Sequence, residues 1–190
     1  ILRCLVGSEM CIRDRTYTVE EATFDSFKGI DIALFAGGSI SKDFAPHAVK
    51  AGAVVIDNSS AFRMDPEVPL VVPEVNPQAI LKHKGIIANP NCSTIIMVMA
   101  LKPIYDLAKI KRVIVSTYQA VSGAGKEGID ELDAQVRDHS EGREMTANIL
   151  PSASAEKHYP IAFNLIPQID VFCDNLYTKE AVSYTHLRAH

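Results

Sequence analysis

The sequence has no tryptophan, and its four cysteines fall among 190 residues with no C-x-x-C pairing and no clustering with histidine. A structural zinc site is therefore not expected, nor any other metal site. No apolar stretch approaches the roughly 18 residues that a membrane span requires. The longest, Ile95 to Leu101, has the length of a core helix. No basic run interleaves with aromatic residues, and the formal charge is only −4 with 22% charged residues, so nucleic-acid binding has no footprint here. Few cysteines and no recognisable signal peptide point to a reducing cytoplasm. There is no internal repeat and no low-complexity linker.

What is present is 47% hydrophobic residues, enough for one good-sized core or two small ones. Segments of strand and helix character alternate. Ile30–Ala36 (IDIALFA) is a continuous apolar run of the kind found in a parallel strand buried on both faces. Ser41–Lys50 predicts a helix closed by Gly52, and Ala53–Asp57 a second buried strand. Leu70–Val72 and Gly85–Ala88 read as two more strands, with a short helix over Pro77–His83 between them. This order predicts a doubly wound parallel sheet. Then come an apolar helix over Thr94–Leu107, a β-branched strand over Lys111–Tyr118, and a helix over Gly128–His139 with Ile129, Leu132 and Val136 on one face. Ile161–Phe172 closes the pattern as a strand bent at Pro167.

Both ends read as foreign. Residues 1–15 (ILRCLVGSEMCIRDR) and 182–190 (VSYTHLRAH) carry neither clean periodicity and look like translated linker. The expected organisation is a leader over 1–15, a partial nucleotide-binding domain over 16–91, a partial catalytic and dimerisation domain over 92–181, and a tail over 182–190. The leader and tail are expected to pack poorly.

Three segments carry candidate chemistry. Cys92 follows a strand and opens a helix, where unpaired N–H groups and a partial positive charge favour a thiolate nucleophile. A lone cysteine is more often a buried structural thiol, but the setting N-P-N-C-S-T, with Asn89 and Asn91, is polar for a core. Ser116–Gly125 (STYQAVSGAG) is a strand ending in a Gly/Ser loop that lets backbone approach a ligand, with Gln119 placed to orient a carbonyl or carboxylate. Asp57–Met64 (DNSSAFRM) puts small polar residues and Arg63 at the carboxyl end of a strand, where open α/β sheets bind ligands. Arg63 suits a phosphate or carboxylate through its planar fork, although a solvated loop arginine is the commoner case. Gly37-Gly38-Ser39 ends another strand at the same edge, where it could face a cofactor or merely turn the chain. The histidines have no metal-like spacing, and the charges of Lys126–Glu144 read as a solvated helix face.

In order and spacing, DNSSAFRMDPEVPLVVPEVN, ANPNCSTI, STYQAVSGAGKEG and NLIPQIDVF resemble the aspartate-semialdehyde dehydrogenase family of the bacterial type. The resemblance runs from Thr16 to about Glu180. It implies an internal piece of such an enzyme: an incomplete doubly wound, Rossmann-like parallel sheet followed by part of an α+β catalytic and dimerisation domain. By it, Cys92 matches the nucleophile that forms an acyl-enzyme thioester, and Gln119 the residue orienting the substrate. Arg63 matches the clamp for phosphate and substrate, and Asn91 the polar neighbour of the nucleophile. Glu180 matches an acidic group for the substrate's ammonium. Ser122 and Gly123 match the loop contacting NADP, and Gly37, Gly38 and Ser39 are assigned to the same cofactor. The implied reaction is reduction of L-aspartyl 4-phosphate to the semialdehyde with NADPH, a step towards lysine, threonine and methionine. The implied parent is a homodimer or homotetramer whose partners are small molecules, aspartyl phosphate and phosphate. The family's glycine-rich phosphate loop would precede this chain, and its histidine base and second substrate arginine would follow it. An N-acetyl-glutamyl-phosphate type of reductase is the alternative enzyme, and an inactive, non-catalytic fragment the alternative of another class. The chain alone is expected to be inactive.

Overall fold

The computed structural model describes residues 9–12, 15–174 and 176–178. They divide into two compact units between Pro90 and Asn91.

The first unit opens with a hairpin. Strand β1 (Glu9–Ile12) pairs antiparallel with β2 (Arg15–Thr18), Glu9 opposite Thr18 and Ile12 opposite Arg15. No element was expected in the leader. The β-forming segment RTYT supplies the partner that a strand needs, and the hairpin stands as its own two-stranded sheet.

The main sheet has three parallel strands in the order β3 (Ile32–Phe35), β4 (Val54–Asp57) and β5 (Ile86–Ala88). Ile32 pairs with Val54 and Phe35 with Asp57, and Val55 pairs with Ile86. Helix α1 (Ser41–Lys50) joins β3 to β4 and ends where Gly52 adopts φ +99°, a left-handed turn open to glycine without strain. A 3₁₀ helix over Pro77–Lys82 joins β4 to β5. The core of this unit is Ala33, Ala45, Ala48, Ala53 and Val55, with Phe27, Phe35, Val49, Phe62 and Ile86 packed against it. Small alanines on α1 and β3 let the helix lie close to the sheet.

Two expectations need correcting here. The Ile30–Ala36 run is buried on one face only: Ala33 points into the core, whereas Ile32 and Leu34 are exposed, Leu34 by 78%. Helix α1 covers one side of the sheet, and no described element packs on the other, so the apolar run is not sandwiched. Leu70–Val72 makes a single parallel bridge, Leu70 to Ala88, and not a full strand. Asn76 breaks its ladder locally by accepting from the Val72 N–H and donating to the Leu70 carbonyl.

In the second unit, α2 (Cys92–Ala108) begins two residues before the expected start because Asn91 is its N-cap, its side-chain oxygen accepting from the Thr94 N–H at 3.2 Å. Helix α3 (Gly125–Ser140) follows a 3₁₀ turn over Val121–Ala124. Its apolar stripe is not its buried face. Ile129 and Val136 are exposed, whereas Gly128 and Gln135 are buried. The reason is hydrogen bonding. The Gln135 side chain accepts from the N–H groups of Ile161 (2.7 Å) and Ala162 (3.0 Å) and donates to the Thr146 carbonyl (2.6 Å). Glu131 accepts from the Asn148 N–H at 2.7 Å. The expected solvated face of Lys126–Glu144 therefore includes a polar hub that ties α3 to two loops.

Neither Lys111–Tyr118 nor Ile161–Phe172 forms a strand among the described residues, apart from an isolated bridge from Phe172 to Thr178. A strand exists only where its N–H and C=O groups find a ladder partner; among the described residues Lys111–Tyr118 has no ladder, and Ile161–Phe172 is held instead by bonds from Ile161 and Ala162 to the Gln135 side chain and from the Asp170 N–H to the Pro151 carbonyl. Ile114 is 82% exposed and Tyr118 89%.

Candidate functional site

In the main sheet of the first unit the strands are parallel, so their carboxyl ends share one edge, and the expected ligand-binding residues of this half lie there. After β3, Gly38 takes φ +66° with open space where a Cβ would stand. The short turn Gly38–Ile40, carrying Ser39, then feeds α1. Neither this turn nor α1 has a side-chain N-cap. Backbone amides uncapped by side chains, beside a glycine without a Cβ, suit a polar or anionic part of a nucleotide.

After β4 the chain is held by buried polar groups. Asp57 is fully buried and accepts from Ser59 Oγ at 2.8 Å. Ser59 Oγ in turn accepts from the Ala61 N–H at 3.1 Å, with Ser41 Oγ of α1 3.4 Å away. This turn leads to Arg63, which is half-buried. Its Nε donates to the Asn89 carbonyl at 2.8 Å, and its Nη2 to the Asn58 carbonyl at 3.0 Å. Within Asp57–Met64 only Arg63 was expected to act, whereas Asp57, Ser59 and Asn58 hold the turn that presents it. A run of Asp, Asn and Ser leaving a buried strand is the signal, because such residues bond neighbouring backbone and fix turns.

In the second unit Cys92 is the first residue of α2 and is exposed, directly after the buried N-cap Asn91. Asparagine at this position satisfies one orphan N–H and leaves the sulfur at the positive end of the helix, where developing negative charge is favoured. Cys173 is half-buried, and its backbone is tied to Tyr177 and Leu176. In the folded full-length protein, Cys92 is expected to alkylate with iodoacetamide about tenfold faster than Cys173. Equal rates in mass-mapped peptides would make Cys92 an ordinary structural thiol.

Gln119 folds over Gly123, and a Cβ on Gly123 would stand 2.0 Å from Gln119 Nε2. Glycine is thus required at 123 for this side-chain placement. Both residues line an open cleft of about 840 Å³ with Ser116, Glu127, Asn164 and Gln168. Ser122 and Cys92 are not among its lining residues. The structure therefore brings Gln119 and Gly123 together but does not bring Cys92 to their cleft. Glu180 lies outside the described residues.

The described histidines are engaged elsewhere. His158 Nε2 meets the Ser152 carbonyl at 3.1 Å, His83 Nδ1 accepts from the Gly85 N–H, and His47 and His139 lie against Phe24 and Phe163. Among the described residues no group of His, Cys, Asp and Glu is placed to hold a metal ion, and no helix is long and apolar enough to cross a membrane.

Two family models match in tandem: the semialdehyde dehydrogenase NAD binding domain over residues 7–83, and the semialdehyde dehydrogenase dimerisation domain over residues 101–186. The chain belongs to the semialdehyde dehydrogenase family. It is 60% identical over 178 residues to aspartate-semialdehyde dehydrogenase of Aquifex aeolicus and 56% identical over 175 residues to that of Bacillus subtilis, in each case over 92% of this chain and 51% of the relative. The crystal structure of aspartate semialdehyde dehydrogenase II from Vibrio cholerae superposes with a TM-score of 0.86 at 48% identity, covering 95% of this chain and 53% of that one. A second structure of the Vibrio enzyme, complexed with ASA, matches equally well. The chain thus spans about half the length of the curated relatives it matches. Family membership accounts for the Rossmann-like parallel sheet of the first unit and for the order of the two units. The match to the first domain starts at residue 7, inside the stretch read as a foreign leader.

Proposed function

We propose that this chain is the central part of an NADP-dependent aspartate-semialdehyde dehydrogenase, a cytoplasmic enzyme that works as a homodimer or homotetramer. The supporting observation is an exposed cysteine at the first position of a helix capped by asparagine, in a chain of this family.

The Cys92 thiolate attacks the acyl carbon of L-aspartyl 4-phosphate. A C–S bond forms, the bond to phosphate breaks, and inorganic phosphate leaves. Asn91 fixes the helix start that presents the sulfur. Gln119, which lines the open cleft of the second unit, is assigned to orienting the substrate, and Glu180 to receiving its ammonium. Arg63 binds the phosphoryl or carboxylate group through charge-assisted bonds. The uncapped turn at Gly37, Gly38 and Ser39 in the first unit is assigned to NADPH, as are Ser122 and Gly123 in the second; NADPH would supply the hydride that converts thioester to aldehyde. When the C–S bond breaks, Cys92 returns to the thiolate and semialdehyde departs. The described histidines lie against other groups, and none of them is assigned as the proton-managing base.

The test is the reverse reaction in the full-length parent: phosphate-dependent oxidation of aspartate semialdehyde, followed as NADPH absorbance. Turnover with N-acetyl-glutamate semialdehyde in its place would move the chain to the sister reductase. Arg63→Lys is expected to raise the Michaelis constant for phosphate about tenfold or more with the fold intact, because a lysine cannot reproduce the planar fork. An unchanged constant would remove Arg63 from the phosphate site.

A further inference from the structure

The two carbonyls that hold Arg63 belong to Asn58 and Asn89, and the side chains of these same residues bond each other. Asn89 Nδ2 donates to Asn58 Oδ1 at 2.6 Å. Asn58 sits on the loop after β4, Asn89 on the loop after β5. The backbone links them again, since the Asn89 N–H donates to the Asp57 carbonyl at 2.8 Å. The Asn58 N–H in turn reaches the Phe35 carbonyl at the end of β3 at 2.7 Å. Arg63 Nε and Nη2 form one edge of the guanidinium, and that edge spans the two loops.

A planar guanidinium bonded along one edge to two carbonyls has its plane and direction set by the separation of those carbonyls. Here the β4–β5 ladder and the Asn89-to-Asp57 backbone bond bring the two loops together, and the amide pair ties them again just past the strand ends. The geometry points to Asn58 and Asn89 as positioning residues for Arg63: their side-chain bond is a latch that aims the guanidinium at the anion it binds. This rests on the reading of Arg63 as the phosphate clamp. The bond is at the surface, so neither amide is needed to fill the core. A surface hydrogen bond alone contributes little to stability. Aiming a charged fork has more leverage, because charge-assisted bonds weaken steeply with misalignment.

The experiment compares Asn58→Ala, Asn89→Ala, the double variant and Arg63→Lys in the full-length parent. Phosphate-dependent semialdehyde oxidation is read as separate kcat and KM values. Each alanine is expected to raise the KM for phosphate about fivefold, the cost of one lost hydrogen bond. The kcat at saturating phosphate and the KM for semialdehyde should stay within twofold. The double variant should be no worse than either single one, because one interaction has been removed, not two. If an alanine variant fails to fold, Asn58→Ser and Asn89→Ser replace it, polar but too short to span. Should the asparagine variants leave the phosphate KM unchanged while Arg63→Lys raises it, the latch is overturned and the clamp stands. If Arg63→Lys is also without effect, the clamp reading fails and the latch with it. A loss in kcat alone, or additive effects in the double variant, would place the amides in some other role and overturn the inference.

Discussion

Replacing Cys92 by serine in the full-length parent is expected to lower kcat by at least about 10⁴-fold while leaving NADP binding and the thermal midpoint close to wild type. The size follows from the chemistry. An alcohol at the same position is a far weaker nucleophile at neutral pH than a thiol, and no described histidine is placed to activate it. Little structural cost is expected because Cys92 is exposed and Asn91, not the sulfur, caps the helix. Burst experiments with the acyl phosphate should show stoichiometric phosphate release from wild type and none from Cys92→Ser. A variant that keeps a tenth of the wild-type rate would take the nucleophile away from this position.

Much of the first unit was legible because its signals are local. Ser41–Lys50 forms as expected, since the glycine at 52 supplies a left-handed stop. The strands at 54–57 and 86–88 follow from short β-branched runs bounded by turn residues. The helix at Cys92 was legible as a helix, and its earlier start follows from an asparagine cap, itself a sequence signal. What sequence patterns did not reveal depends on partners distant along the chain. Lys111–Tyr118 has strand composition, but a ladder is a property of two segments, and no described neighbour pairs with it. Leu34 belongs to an apolar run, yet its exposure depends on whether anything covers that face of the sheet. Gln135 looked like one more polar residue on a solvated helix, and its role appears only when residues 146 and 161–162 come alongside.

The same division applies to the candidate site. Cys92, Gln119 and Arg63 stood out because each is an unusual residue type at a strand end or helix start. Asn58 and Asn89, 31 positions apart, meet only because β4 and β5 are adjacent and parallel. Nothing in either local stretch announces the other. The steric demand at Gly123 was likewise invisible until Gln119 was seen lying across it.

The 190-residue chain by itself is expected to show no dehydrogenase turnover and to self-associate. Helix α2 is apolar around much of its circumference, yet Thr94 is its one buried residue, and Leu107 is 90% exposed. Ile96 and Ile104 are exposed with it, as are Ile114, Phe163 and Leu165 in the two stretches that form no strand among the described residues. Exposed apolar side chains in this number favour association with other surfaces, and backbone without ladder partners adds edges that recruit other chains. In relatives about twice as long, further chain is available to cover such surface. Chemistry points the same way. The Cys92 thiolate needs a proton-managing base, and His158 is bonded to the Ser152 carbonyl. Size-exclusion with light scattering should therefore give a mass well above 20.8 kDa. The reverse assay, run on the same sample, should stay at background. A monodisperse monomer that oxidises semialdehyde, with activity lost in Cys92→Ala, would show that these residues suffice for catalysis and that the exposed apolar faces need no cover.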